Sequence, residues 1–233
     1  SEEALPQLAK ILSKHHGFDT TVLFGVNEKG EVDPTMPVYP KKGKEAEFKS
    51  HNIPGLEHLA KADALIIITR LLTLPMEQQK LIVSYLDSGK PIIALRTANH
   101  GFRGNLPYEI DGKKINFGRD LLGGAFMGHH GRWHADSTRG TIVEALKNHP
   151  IATGVTDIWG PSDVYRTYKE GTSLPGDCTA LVWGQPLMGR NYDDKPKPYN
   201  EVVKDLRKLY KAKPEVVFEH CHSHRALKTK NTL

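Results

Sequence analysis

The residues of this chain that could do chemistry gather in three places. The first follows the short apolar run 92–95, which turns polar at Arg96-Thr97-Ala98-Asn99-His100. A run so short and so rich in Ile reads as a strand buried on both faces. Open α/β sheets bind ligands beyond the carboxyl ends of such strands, which would put Arg96, Thr97, Asn99 and His100 at the mouth of a crevice. Arg96 offers five fixed donors and a permanent charge, suited to clamping a carboxylate or a hydroxyl. A structural ion pair is the competing reading. Thr97 suits a helix N-cap better than a nucleophile. His100 has the chemistry of a general base, its ordinary pKa lying near ~6.5. A solvent-facing loop histidine competes with that role.

The second place is His129, His130 and His134. On a helix, His130 and His134 would share a face and could ligate a metal. Gly128 and Gly131 argue against a helix there. The third is the tail with His220, Cys221, His222 and His224. Strand alternation would put the three histidines on one face, a set that could bind Zn or Cu. The spacing is not that of a standard structural zinc site. A disordered basic tail, suggested by Lys228 and Lys230, is the alternative.

The elements that must position these residues are legible in part. Residues 3–16 read as a helix with Leu5, Leu8, Ile11 and Leu12 on one face and Gly17 as its stop. Residues 20–24 read as a short strand, and 27–52 as a long loop. A short helix is expected over 54–61, a buried strand over 64–69, and a helix over 75–88 started by Pro75 and ended by Gly89. The strand 91–95 follows. This α-β-α-β-α-β order predicts a doubly wound parallel sheet. Because a helix opens the chain, the reading also infers a strand upstream of Ser1. Further on, 105–114 reads as a turn-rich excursion and 116–122 as a short helix ended by Gly123-Gly124. Residues 139–146 and 180–183 read as strands, 157–165 as an aromatic, turn-rich segment, and 200–210 as a helix. No internal repeat or composition break marks a domain boundary, so 1–197 is taken as one α/β domain, with 198–233 as a helix and basic tail.

Composition narrows the function classes. Charged residues make up 25% of the 233 and apolar residues 38%, which describes a globular domain. The net charge of +5 is dispersed. No Lys/Arg stripe interleaves with aromatic residues, so nucleic acid is not an expected partner. No apolar run nears the ~20 residues of a membrane helix, so no membrane role is expected. Two cysteines cannot build a disulfide framework and leave the compartment open.

Four stretches carry a resemblance: LIVSYLDSGKPIIALRTANHGF, GRDLLGGAFMGHHGRWH, HPIATGV and DIWGPSDVYRTY. In this order they resemble the trehalose-utilisation (ThuA-like) family of the class I glutamine amidotransferase-like superfamily, over roughly residues 5–188. The resemblance implies a flavodoxin-like α/β sandwich and a role in sugar metabolism. It departs in three respects. The turn after Leu95 carries Arg96 and Thr97 where the superfamily places a cysteine nucleophile, so glutamine hydrolysis through a thiolate is not expected. Arg96 also stands where ThuA-like proteins commonly have a histidine. The first strand of the sheet is missing.

The resemblance places His129 and His130 in an active-site lining, with Asp163 and Tyr165 contributing a carboxylate and a phenol. Trp159 offers an apolar face of the kind that stacks on sugars, though a buried core position is the commoner fate of tryptophan. The expected catalytic set is Arg96, His100, His129, His130 and Asp163. Thr97, Asn99, Trp159 and Tyr165 would bind the substrate, a sugar-like small molecule. No cofactor is required, the two histidine clusters being the metal candidates. Homo-oligomerisation stays open. The alternative is a non-catalytic scaffold serving as a binding or assembly subunit, which would show exposed apolar patches and an open sheet edge.

Overall fold

The computed structural model describes residues 2–43, 51–167 and 178–198. It contains helices and small sheets, and no barrel among the described residues. The chain divides into two compact units between Ala125 and Phe126.

In the first unit, α1 runs Ala4–His16 and ends at Gly17, whose φ of 72° is the left-handed cap position. Lys14, His15 and His16 in its last turn complement the helix dipole. The expected strand at 20–24 is not formed. The stretch has no ladder partner among the described residues, and Leu23 packs against the core. Val26 makes one antiparallel bridge to Asn52. The loop read over 27–52 is indeed irregular where described, with Asn27 and Asp33 folding turns through their side chains.

Next come a 3₁₀-helix, Leu56–Lys61, the strand β1, Leu65–Ile67, the helix α2, Met76–Asp87, and the strand β2, Ile92–Ala94. β1 and β2 pair in parallel, Leu65 opposite Ile92, with α2 as the connection between them. Ile82 and Tyr85 on α2 are buried against Ile67, Leu56 and Leu59. This is mixed helix and strand, compatible with an α/β fold; among the described residues the parallel sheet has two strands, with one further parallel bridge between Leu72 and Phe102. β2 is not buried on both faces. Ile93 is 53% exposed, because no third described strand or helix layer covers that side.

A hairpin, β3 at Glu109–Ile110 and β4 at Lys113–Lys114, occupies the turn-rich excursion. Its two central residues, Asp111 and Gly112, have φ of 50° and 73°, the type I′ geometry that favours an Asp-Gly pair. Asn116 caps a single π-turn, Phe117–Leu121, by accepting from the Arg119 N–H at 2.9 Å.

The second unit is antiparallel. The strand β5, His129–His130, pairs with β8, Val164–Tyr165. A second sheet has the order β7, Ile158–Gly160, then β6, Thr138–Ile142, then β9, Val182–Pro186. The strand expected over 139–146 therefore stops at Ile142, and residues 144–146 turn into a 3₁₀-helix. The aromatic, turn-rich segment is two strands joined at Pro161-Ser162-Asp163. The helix read over 200–210 and the tail histidines His220, His222 and His224 lie outside the described residues.

Candidate functional site

The pairing of β5 with β8 joins two of the sequence stretches that carry the resemblance. His129 stands opposite Tyr165, and His130 opposite Val164. Strand alternation sends the two histidines to opposite faces. His130 goes to a buried position. His129 turns toward Asp163, and its Nδ1 lies 2.7 Å from the Asp163 carboxylate. A carboxylate only accepts, so Nδ1 carries the proton and Nε2 points away from Asp163. The Asp163 side chain is fully buried, while that of His129 keeps 19% of its surface.

Asp163 owes its place to the turn before β8. The Thr138 hydroxyl donates to the Ser162 carbonyl at 2.7 Å, and the Arg190 guanidinium donates to the Pro161 carbonyl at 3.2 Å. Three aromatic rings surround His129. Phe126 and Tyr165 meet it edge-on, at centroid distances of 5.2 and 5.6 Å. Trp133 stacks on it at 5.7 Å with planes 28° apart. The indole is 57% exposed and also touches the His134 ring at 4.2 Å. An exposed aromatic face beside a carboxylate-held imidazole can stack on an apolar ligand face and exchange a proton with a neighbouring hydroxyl.

The loop that carries Trp133 is tied down by a buried carboxylate. Asp136 accepts from the Arg132 backbone N–H at 2.7 Å and from its guanidinium Nε at 3.0 Å. It also pairs with the ammonium of Lys197, itself buried. Gly131, at φ 110°, lets the chain pass close to this carboxylate; a Cβ there would sit 3.3 Å from Asp136 Oδ2.

In the first unit the turn after β2 places Arg96, Thr97, Asn99 and His100 close together. Arg96 is exposed. Thr97 occupies an N-cap position, yet its hydroxyl donates to the Thr69 carbonyl at 2.7 Å rather than capping the turn. Asn99 and His100 are linked side chain to side chain at 2.9 Å. Gly101 and Gly118 are needed where they stand, since a Cβ would run into the Thr69 hydroxyl or the Asn99 carbonyl. These four residues belong to the first unit, and His129, His130, Asp163 and Tyr165 to the second.

Trp159 does not join the group around His129. It packs on Tyr192 at 5.9 Å, and Tyr192 is held by Arg139 and Asp157. His129 and His130 alternate across β5, and no three His, Cys, Asp or Glu side chains among the described residues converge to hold an ion.

Sequence reasoning missed Trp133, Asp136 and Lys197. Trp133 adjoins the quoted histidines and was findable; the Asp136–Lys197 pair, 61 positions apart, was not. It also missed His51, which is buried in the first unit. Its Nδ1 accepts from the Thr73 N–H at 2.9 Å, and its backbone N–H donates to the Thr73 carbonyl at 2.7 Å. Burial holds its pKa below the ordinary histidine value.

Comparisons with protein-family models, curated proteins and solved structures find no match to this chain.

Proposed function

We propose that this chain is a ThuA-like protein of carbohydrate metabolism that acts on a sugar-derived small molecule at His129. The observation that carries the reading is the 2.7 Å contact between His129 Nδ1 and the buried Asp163 carboxylate, with Trp133 stacked on the imidazole. In this reading Asp163 fixes the ring and offsets its charge when it becomes cationic. His129 Nε2 takes a proton from a hydroxyl or from a carbon beside a carbonyl. Trp133 supports the apolar face of the sugar ring. Glutamine amidotransferase activity is not part of the proposal, because Arg96 and Thr97 occupy the turn where that chemistry needs a thiolate. The flavodoxin-like doubly wound sheet that the resemblance implies draws support from the parallel β1–β2 pair and the helix between its strands.

The test is a saturation-transfer NMR screen of neutral sugars, keto-sugars and aldonates, followed by turnover measurements on any hit. Binding that weakens in Trp133→Ala, with turnover that disappears in His129→Ala, supports the reading. A panel in which nothing binds, or in which both variants behave as wild type, rejects it.

The exposed side chains of Ile93 on β2 and of Leu95 just after it favour a second reading, an assembly subunit that covers this strand with a partner. Sedimentation velocity decides it: a self-associating wild type that becomes monomeric in Ile93→Lys supports this role, and a monomer in both rejects self-assembly.

A further inference from the structure

We infer that Lys197 is a positioning residue for Trp133, latching the aromatic face of the site from a segment far along the chain. The inference rests on the reading of His129 and Trp133 as a ligand site, and adds a means of control to it.

Trp133 and His134 occupy the outward side of a tight turn. The N–H groups of Ala135 and Asp136 both donate to the Arg132 carbonyl at 3.1 Å. Asp136 closes the turn from inside, taking the Arg132 backbone N–H and its guanidinium onto one carboxylate. That carboxylate is fully buried, and the Arg132 side chain is 48% exposed. Arg132 alone therefore leaves a buried charge compensated by a half-hydrated partner. Lys197 supplies the second cation, and its side chain is almost wholly buried. Its backbone is fixed as well, the Lys197 N–H donating to the Pro186 carbonyl at 2.8 Å. The base of the turn rests on the same segment, since the Ser137 N–H donates to the Gly189 carbonyl and the Leu187 N–H to the Ser137 carbonyl.

A buried carboxylate that loses one of its cations must find water or move. The part that would move is the outer turn, residues 132–135, because its base at Ser137 and the paired strands β5 and β8 are tied by backbone bonds. The strands are linked by Met127 and Arg166, each backbone N–H donating to the other side of the ladder. Displacing Asp136 would then carry Trp133 off the His129 ring and leave the His129–Asp163 pair in place.

The experiment reads the ring-current shift that Trp133 imposes on the His129 ring protons, observed by NMR of the full chain. Trp133→Ala sets the unstacked position. Lys197→Met should move the His129 resonances to that position, and Lys197→Arg, which keeps a cation, should hold them near wild type. Amide exchange across β5 and β8 should stay protected in both. Wild-type shifts in Lys197→Met overturn the inference. So does a loss of protection in β5 and β8 that parallels the shift, because that is general loosening. If Lys197→Met does not fold, Lys197→Met with Asp136→Leu removes both buried charges and leaves Arg132 able to reach water. The unstacked shift in that folded double variant supports the latch; the stacked shift overturns it. No sugar enters the measurement, so a failed ligand screen and a failed latch are separate results.

Discussion

His51 sits in the first unit with its backbone N–H donating to the Thr73 carbonyl and its Nδ1 accepting from the Thr73 N–H, and only the neutral imidazole can accept there. Its pKa is lowered, chiefly by burial. The unfolded chain therefore takes up the proton before the folded one does. Stability is full above the free histidine value of about 6.5 and falls as the pH drops from there toward the folded value. The urea midpoint of the wild type should decline between about pH 7.5 and about pH 5. His51→Gln should be less stable at the upper pH and show a flatter decline; equal slopes would remove His51 as the cause. Asp163 makes a second prediction at this scale. Asp163→Ala leaves the His129 Nδ1–H without its acceptor, at a cost of about 1–3 kcal/mol in unfolding free energy. Loss of the downfield Nδ1 proton resonance would report the same event. The His129–Asp163 pair was within reach of sequence reading because two quoted stretches carried its halves. The side-chain contact itself was not, since nothing in a run of residue types states which strands pair.

At the scale of elements, helix ends were the most legible feature. Gly17 stops α1 and Pro75 precedes α2 as expected, because those effects are local to the backbone. Strands were less so. Residues 20–24 have the same β-branched and aromatic character as the stretches that do pair, yet form no ladder among the described residues. Composition describes suitability for a sheet, and only a neighbour makes one. Glycines inside the three-stranded sheet give a test that depends on the neighbour alone. A Cβ on Gly140 of β6 would lie 2.7 Å from the Ile158 side chain and 2.9 Å from that of Val182. A Cβ on Gly160 of β7 would meet nothing within 4 Å. Gly140→Ala should destabilise by about 1–3 kcal/mol through overpacking. Gly160→Ala should be close to neutral, and similar losses from both in thermal melts would contradict the register described for β6 and β7.

Across the whole molecule the two units are held by different means. The buried apolar cluster, from Leu56 through Ile82 and Tyr85 to Phe117, belongs entirely to the first. In the second, the largest fully buried side chains are Leu187, Pro186, Asp136, Asp163 and Ser137, three of them polar. Apolar spacing let helices and strands of the first unit be read from sequence as alternating α and β elements, whereas the second is specified by polar pairs between distant positions that no spacing encodes. The difference predicts where a core cavity is felt. Ile82 lies on α2 and is 3% exposed, packed within the first unit's cluster. Ile82→Ala should cost about 2–5 kcal/mol, the lost transfer energy plus that of the cavity. Native-state hydrogen exchange, read amide by amide, shows how that loss is distributed. The largest fall in protection is expected in α2, β1 and β2, with the β6–β9 ladder falling less because its amides are held by antiparallel pairing and buried ion pairs. An equal fall across both sets of amides would mean that the chain opens as one cooperative body, and the division at Ala125 would then have no thermodynamic counterpart.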